Sequence, residues 1–248
     1  MPITRDTDTT FNQACYENET LRLEDCEHCA LRQRMLFSKL EFGNLTEYLW
    51  PIQHTKCPSG TMLYHQGQPA HSILSVRMGF IKLVSYSESG DQQIVRILGP
   101  GDCGGIEALL EPTYHHQAVA LSDVDLCVIP IKIIHKLQKD QPDLSNALIQ
   151  QWHEQLFRAD NWLANLRSGP LIKRVINLVL MLHELQKLPG NQIQLVSNQD
   201  IAAIVAGREE TVSRCLSELR KERLITLQEK RQCELDITGL RARLNSDG

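Results

Sequence analysis

The sequence predicts an α+β chain in three parts: a small all-β domain, one long helix and a C-terminal winged helix-turn-helix. Three observations carry this expectation. Turn residues recur between positions 60 and 130, at Gly60, Gly67, Gly79, Ser89-Gly90-Asp91, Gly99-Pro100-Gly101 and Gly104-Gly105. From Leu144 to Leu166 there is neither Gly nor Pro, and apolar residues return at steps of three and four. From Leu195 to Leu227, two short apolar-faced segments flank Ala206-Gly207-Arg208.

Taken in order, residues 1–36 are polar, carry three cysteines and show little periodicity, and are set apart as a cysteine-bearing N-terminal segment. Residues 37–143 form the expected sensor domain. Its short alternating runs, Ile73-Leu74-Ser75-Val76 and Phe80-Ile81-Lys82-Leu83-Val84, suit strands that turn at the glycines into a barrel or sandwich. Residues 144–167 form the long helix, a rod of roughly 35 Å. Its repeat of Leu148, Trp152, Leu156, Ala159, Leu163 and Leu166 reads as a dimer seam, the alternative being a stripe packed on its own barrel. Residues 168–248 begin at the Ser168-Gly169-Pro170 break and hold the expected winged helix-turn-helix.

Composition narrows the class. At 42% hydrophobic and 23% charged residues the chain can build an ordinary globular core. No run approaches about 18 uncharged apolar residues, so no membrane span is expected. The polar start lacks an apolar signal region, so a cytoplasmic protein is expected. Residues 168–248 carry 12 Lys and Arg against 10 Asp and Glu, while the whole chain has a net charge of −4. The sign suits a C-terminal part that meets phosphates. The sequence has no G-x-S-x-G, phosphate-binding loop, dinucleotide-binding glycine fingerprint or H-E-x-x-H, and no enzymatic activity is expected.

In the last part, Ser197 with Asp200 three residues on predicts a capped first helix over Asn198–Val205, burying Ile201, Ile204 and Val205. A second helix from Glu209 to Lys221 turns Val212, Leu216 and Leu219 inward. Ile225 and Leu227, then Leu235 and Ile237 beyond Lys230-Arg231, suggest a strand pair. The second helix leaves Glu210, Ser213 and Arg214 on its outer face, near the end that enters a major groove. Arg214 can bond guanine O6 and N7 together, and Glu210 can accept from a cytosine or adenine amino group.

The run D-I-A-A-I-V-A-G-R-E-E-T-V-S-R, 200–214, resembles the helix-turn-helix of the CRP/FNR superfamily. Its E-x-x-S-R is similar to the FNR branch, whereas the CRP branch has Arg before the Glu and Gly in place of Ser. Glu209 departs from both. H-Q-G-Q-P (65–69), R-M-G-F-I-K (77–82) and L-G-P-G-D (98–102) resemble turns of the family's β-roll, and the similarity runs from about residue 25 to residue 240. It implies a cyclic-nucleotide-binding-like β-roll, a dimerisation helix and a winged helix. It further implies a homodimer that binds double-stranded DNA at a palindrome with half-sites like TTGAT, with RNA polymerase as a second partner. Arg208, Glu209, Glu210, Thr211, Ser213 and Arg214 are the implied DNA-binding residues. The acidic dimer-helix position of FNR-like proteins falls at Ala159, beside Asp160.

The signal is read from the β-roll and the cysteines. A cyclic nucleotide needs, in family terms, G-E followed by R-S; here Gly104-Gly105-Ile106-Glu107 leads to Tyr114-His115-His116-Gln117, with no arginine for the phosphate. Haem is a second alternative, but nothing local singles out His54, His65 or His71. Cys26-Glu27-His28-Cys29 is a C-x-x-C, compatible with an iron–sulfur cluster, zinc or redox chemistry. The FNR resemblance implies a [4Fe–4S] cluster on such a pair, a third nearby cysteine and a distant one, which D-L-C-V-I-P places at Cys127. Met35 stands where the third would be. Cys15 is the expected substitute, ahead of Cys103, Cys57, His28 or Asp25, giving the set Cys15, Cys26, Cys29 and Cys127. Cys103 and Cys127 also read as buried apolar thiols, and Cys215 and Cys233 as structural.

Overall fold

The structure is a computed structural model that describes residues 15–20, 52–86, 92–140, 143–186, 190–228 and 231–246. These fall into two compact units. In chain order the strands of the first part are β1 (Tyr16–Thr20), β2 (Gln53–Cys57), β3 (Met62–Tyr64), β4 (Ser72–Met78), β5 (Ile81–Tyr86), β6 (Gln92–Leu98), β7 (Cys103–Gly104), β8 (Gln117–Ala120) and β9 (Val124–Pro130). A short 3-10 turn lies at Ile106–Leu109, and helices α1 (Ile131–Asp140) and α2 (Asp143–Leu166) follow β9. The strands make a five-stranded sheet in the order β1-β2-β9-β4-β7 and a four-stranded sheet in the order β3-β8-β5-β6.

β9 explains how the core is divided. Alternate residues of a strand face opposite sides of a sheet. Val124, Leu126 and Val128 join Cys57, Leu63, Tyr64, Leu74, Val76 and Leu83 in one apolar cluster. Cys127 and Ile129 join Ile52, Ile73 and Cys103 in another, capped by Ile133, Ile134 and Leu137 of α1 and by Leu144 and Leu148 of α2. A central strand covered on both faces reads as the near-continuous apolar run V-D-L-C-V-I-P. Of the expected glycine corners, Gly60, Gly67, Gly79, Gly101 and Gly105 take positive φ, Gly104 lies in β7, and Ser89-Gly90-Asp91 lies outside the described residues. At Gly79, between β4 and β5, φ is +80° and an added Cβ would meet the Asp123 carbonyl oxygen, so no larger residue fits.

The second unit takes in α2 from Phe157 onward. It continues with α3 (Leu171–Gln186), β10 (Gln192–Gln194), α4 (Asn198–Ile204), α5 (Glu209–Lys221), β11 (Ile225–Leu227), β12 (Gln232–Leu235) and α6 (Ile237–Asn245). Val175, Ile176, Leu178, Val179 and Leu182 of α3 supply its buried stripe. β12 lies between β10 and β11.

Three elements differ from expectation. β1 forms within the segment read as aperiodic, because pairing with β2 rather than apolar alternation defines it. α1 follows Pro130, past the turn signals of 60–130 but inside the domain expected over 37–143, for which no helix was expected; its Ile133, Ile134 and Leu137 are the helical spacing that marks it. Ile237 does not extend the last strand. Asp236 caps a helix there by accepting from the Gly239 N–H at 2.9 Å.

Candidate nucleic-acid interface

The frame of the second unit begins with a cap. The Ser197 backbone is extended, and its hydroxyl accepts from the Asp200 N–H at 3.0 Å while donating to the Asp200 carboxylate. This satisfies one of the free donors at the start of α4. Ile201 and Ile204 of α4 are buried, and Val205 closes the helix, also buried.

The turn to the next helix is fixed from α3. The Arg174 guanidinium donates to the Val205 carbonyl at 2.6 Å, and Ala206 takes a positive φ of 50°. Gly207 follows because an added Cβ would lie 2.7 Å from a Leu171 methyl carbon. α5 then starts at Glu209, with Glu209 and Glu210 at its positive end and Arg220 and Lys221 at its negative end, the arrangement that complements the helix dipole. Its amphipathic spacing buries Val212, Cys215, Leu216 and Leu219.

Arg208, Glu209, Glu210, Thr211, Ser213 and Arg214 are all exposed, on or just before the first turns of α5. A guanidinium, a carboxylate and hydroxyls on one accessible helix end can pair with base edges or phosphates. The other end of α5 is tied down instead: Arg243 pairs with Glu218 at 3.2 Å and with Glu222 at 3.4 Å. Of the basic turn between β11 and β12, Arg231 has a positive φ of 65°, and Lys230 lies outside the described residues.

α2 bears the expected seam in altered form. Trp152, Leu156 and Leu163 are exposed, with Ala159 half-buried between them. Leu148 and Leu166 are not on that face: they are buried, 4% and 1% exposed. At 3.6 residues per turn Leu148 and Leu166, five turns apart, fall at the same edge of the stripe, next to half-buried Ala159 and toward the side that holds buried Leu144, Gln155 and Trp162. Ile149, 66% exposed, takes part in the outward stripe and was missed, while Phe157, 61% exposed, lies to one side of it. The spacing 149, 152, 156, 163 is the heptad signal that marks Ile149.

The cysteines separate onto two faces of one sheet. Cross-strand partners run His54–Cys127, Cys127–Ser75 and Ser75–Cys103, so these four residues share a face. Cys127 and Cys103 lie in the cluster under α1 and α2, and burial pushes the Cys103 thiol up to about 12. Gln155 of α2 donates to the Cys103 carbonyl at 2.8 Å.

Cys15, placed one residue before the Tyr16–Lys56 pair, forms a disulfide with Cys57, with Cα atoms 4.3 Å apart. Both belong to the opposite core, between the two sheets. The four-cysteine set with Cys15 is therefore corrected. Cys15 has Cys57 as its partner and is on the wrong face to meet Cys127, and Cys26 and Cys29 lie outside the described residues. Among the described residues, no group of three or more His, Cys, Asp and Glu is placed to hold a metal ion. Cys215 and Cys233 are buried, as structural thiols should be.

The alternatives for the sensor part can also be located. His54 is bound to the Asp125 carboxylate, with Arg77 3.7 Å from the same oxygen, while His65 and His71 are exposed. The roll interior holds the stacked rings of Tyr64 and Tyr114, centroids 3.8 Å apart. Burial opposes ionisation of Glu107 beside them, but His116 and backbone N–H groups outweigh it and hold its carboxyl below the usual range.

Residues 54–141 match the cyclic nucleotide-binding domain family, and residues 173–243 match the Crp-like helix-turn-helix domain family. The chain is 28% identical to a global nitrogen regulator of Synechococcus elongatus, over 79% of this chain and 89% of that protein. It is 26% identical to an anaerobic regulatory protein of Haemophilus influenzae, over 87% and 86%. It is 27% identical to the regulatory protein HlyX of Actinobacillus pleuropneumoniae, over 83% and 88%. Among solved structures, FixK2 from Bradyrhizobium japonicum superposes with a TM-score of 0.69 at 22% identity, over 78% of this chain and 96% of that one. A CRP/FNR-family transcriptional regulator from Thermus thermophilus gives 0.62 at 25% identity, over 79% and 100%.

Proposed function

The chain belongs to the CRP/FNR superfamily of DNA-binding transcription regulators, and from that premise we propose that it acts as a homodimer on a palindromic, FNR-like site and answers to oxygen or cellular redox state. The observation that carries the DNA reading is the exposed Glu210-x-x-Ser213-Arg214 on the first turns of α5, in a frame closed by the Ser197 cap and the Arg174 clasp. Two such helices about 34 Å apart read successive major grooves on one side of the duplex. The outward stripe of Ile149, Trp152, Leu156 and Leu163 supports pairing of two copies through α2. RNA polymerase is the partner such a regulator contacts once on DNA.

The proposed signal input is the cysteines. The C-x-x-C at Cys26 and Cys29, the FNR-like register of Cys127 and the anaerobic regulators among the relatives support a [4Fe–4S] cluster. The ligands kept for it are Cys26, Cys29 and Cys127. Cys15 is withdrawn because of its bond to Cys57, and Cys103, on the same face as Cys127, becomes the next candidate. A bound cluster supplies a group that oxygen destroys.

Fluorescence anisotropy on a TTGAT palindrome against a scrambled duplex, in a salt titration, tests the DNA reading. Equal affinity for both duplexes at every salt concentration overturns it. Iron, sulfide and absorption analysis after anaerobic purification tests the cluster. Protein without iron removes the cluster, iron retained in Cys127→Ser removes Cys127 from its ligands, and either outcome leaves the DNA reading standing.

A further inference from the structure

We propose that Cys15 and Cys57 are a reversible thiol–disulfide pair that fastens strand β1 to the edge of the five-stranded sheet. This site is independent of the iron–sulfur reading and uses none of its remaining ligands.

The argument starts from β1. Among the described residues it is the terminal strand of its sheet and pairs only with β2, from Tyr16 opposite Lys56 to Thr20 opposite Gln53, with an irregularity between. Its sequence, Y-E-N-E-T, has no apolar alternation with which to bury a face. Short polar edge strands are held by backbone hydrogen bonds that water can replace. The Cys15–Cys57 bond joins positions 42 residues apart at one end of this ladder, so it adds a covalent clamp to a strand whose sequence offers no apolar alternation.

The pair is also built for exchange. Cys57 is 1% exposed in the inter-sheet core, while Cys15 is half-buried at its margin. Attack from solvent therefore enters at the Cys15 sulfur. A regulator that reads DNA works where thiol reductants keep most cysteines reduced, and disulfides found there are usually transient and redox-sensing. The other described cysteines are poor competitors. Cys103, Cys127, Cys215 and Cys233 are buried, and burial raises the thiols of Cys103, Cys215 and Cys233.

The step balances with a small disulfide of the glutathione class as oxidant. The Cys15 thiolate attacks one of its sulfurs, the small S–S bond breaks, and one small thiol leaves with a proton. Cys57 gives its proton to water, and its sulfur attacks Cys15, expelling the second small thiol. Two electrons pass from the protein pair to the small disulfide, and excess small thiol reverses the sequence.

The test uses the full-length protein, incubated across ratios of reduced to oxidised glutathione, with iron content measured on the same samples. Rapid alkylation and peptide mapping should show one cross-link, Cys15 to Cys57, that forms and disappears as the ratio changes. Hydrogen exchange should then show amides of 16–20 and 53–57 exchanging at least about 10-fold faster in the reduced protein than in the oxidised one. Cys15→Ser should exchange at the reduced rate under all conditions. Cys57→Ala provides a second variant that lacks the bond without placing a hydroxyl in the core. A different cross-link, no cross-link, or a cross-link that survives excess small thiol overturns the proposal. So does a reversible cross-link that leaves exchange in both strands unchanged. None of these outcomes bears on whether iron is bound, so the failure of this pair and the failure of the cluster are told apart on the same samples.

Discussion

In the DNA-reading unit, the contacts that set the frame join residues close in sequence. Ser197 caps Asp200 three residues away, and Asp236 caps Gly239 at the same spacing. In the cysteine-bearing sheet the decisive partners are remote: Cys15 meets Cys57 across 42 residues, and His54 stands opposite Cys127. The first kind of site is written in helical spacing and capping residues. The second depends on strand register, where a shift of one residue turns every side chain to the other face. That difference explains why Arg214 was placed on its helix from sequence while Cys15 was assigned the wrong companion.

The strongest test concerns the feature that combines the two regimes, the long helix α2. Leu156→Asp puts a carboxylate on the outward stripe, 58% exposed in the single chain and buried if two copies pair there. Facing carboxylates without partners are expensive to bury. The expected outcome is a folded monomer whose operator affinity drops by at least about 100-fold, since two half-sites no longer act together. Sedimentation velocity reads the first effect and anisotropy the second. An unchanged dimer means the stripe is not the seam.

Leu148→Ala, about two turns earlier in the same helix, should behave differently. This side chain is packed with Ile133, Ile134 and Leu137 under the five-stranded sheet. Truncation should destabilise the first unit by about 2–5 kcal/mol in urea unfolding while the dimer survives in native buffer. If Leu148→Ala instead dissociates the dimer with little change in unfolding midpoint, the inward assignment of this face is wrong.

Much of the fold was legible because its signals are local. Gly60, Gly67, Gly79 and Gly101 all take positive φ at turns, as their spacing suggests. The helices at 143–166, 198–204 and 209–221 start and stop within a residue of where caps and breakers place them. β1 was not legible, because Y-E-N-E-T has no periodic signal and exists as a strand only through its partner. The outward stripe was half legible: the heptad spacing was visible, but which of Leu148 and Ile149 faces out depends on where α1 and the sheet lie.

Arg214→Ala probes the local regime at its functional end. Loss of a side chain able to bond guanine O6 and N7 should cost about 1–3 kcal/mol on the specific palindrome and relax discrimination at one position per half-site. The matching measurement is anisotropy on duplexes varied at single positions. A uniform loss on all sequences, with a reduced salt slope, makes Arg214 a phosphate contact instead.

The remote regime has a pH signature at Cys103. Its folded thiol lies at about 12, raised by burial, whereas an unfolded thiol ionises near about 8.5. The unfolded chain thus loses a proton first, and the stability this thiol contributes is present below about pH 8.5 and lost as pH rises toward the folded value. The slope approaches about 1.4 kcal/mol per pH unit at most. Because tyrosines and lysines titrate in the same window, the effect is read as the difference between wild type and Cys103→Ala between about pH 8.5 and about pH 10.5. Identical slopes would place Cys103 in water rather than in the core.

Ser197→Ala is the smallest expected change and the sharpest statement of the local case. The Ser197 hydroxyl sits at the entry to α4 with an extended backbone and accepts the Asp200 N–H at 3.0 Å. Alanine leaves that donor to water or unpaired, a loss of about 1 kcal/mol for a cap of this kind. Asparagine, whose side-chain oxygen can reach the same N–H, should restore most of it. The cap touches no proposed DNA contact, so at temperatures well below unfolding operator affinity should stay within about two-fold of wild type. A melting shift confined to the transition of the second unit, rescued by Ser197→Asn, establishes the cap as the local device that holds the helix-turn-helix. A shift that asparagine does not rescue points instead to the hydroxyl's donation to the Asp200 carboxylate, which an amide oxygen cannot make.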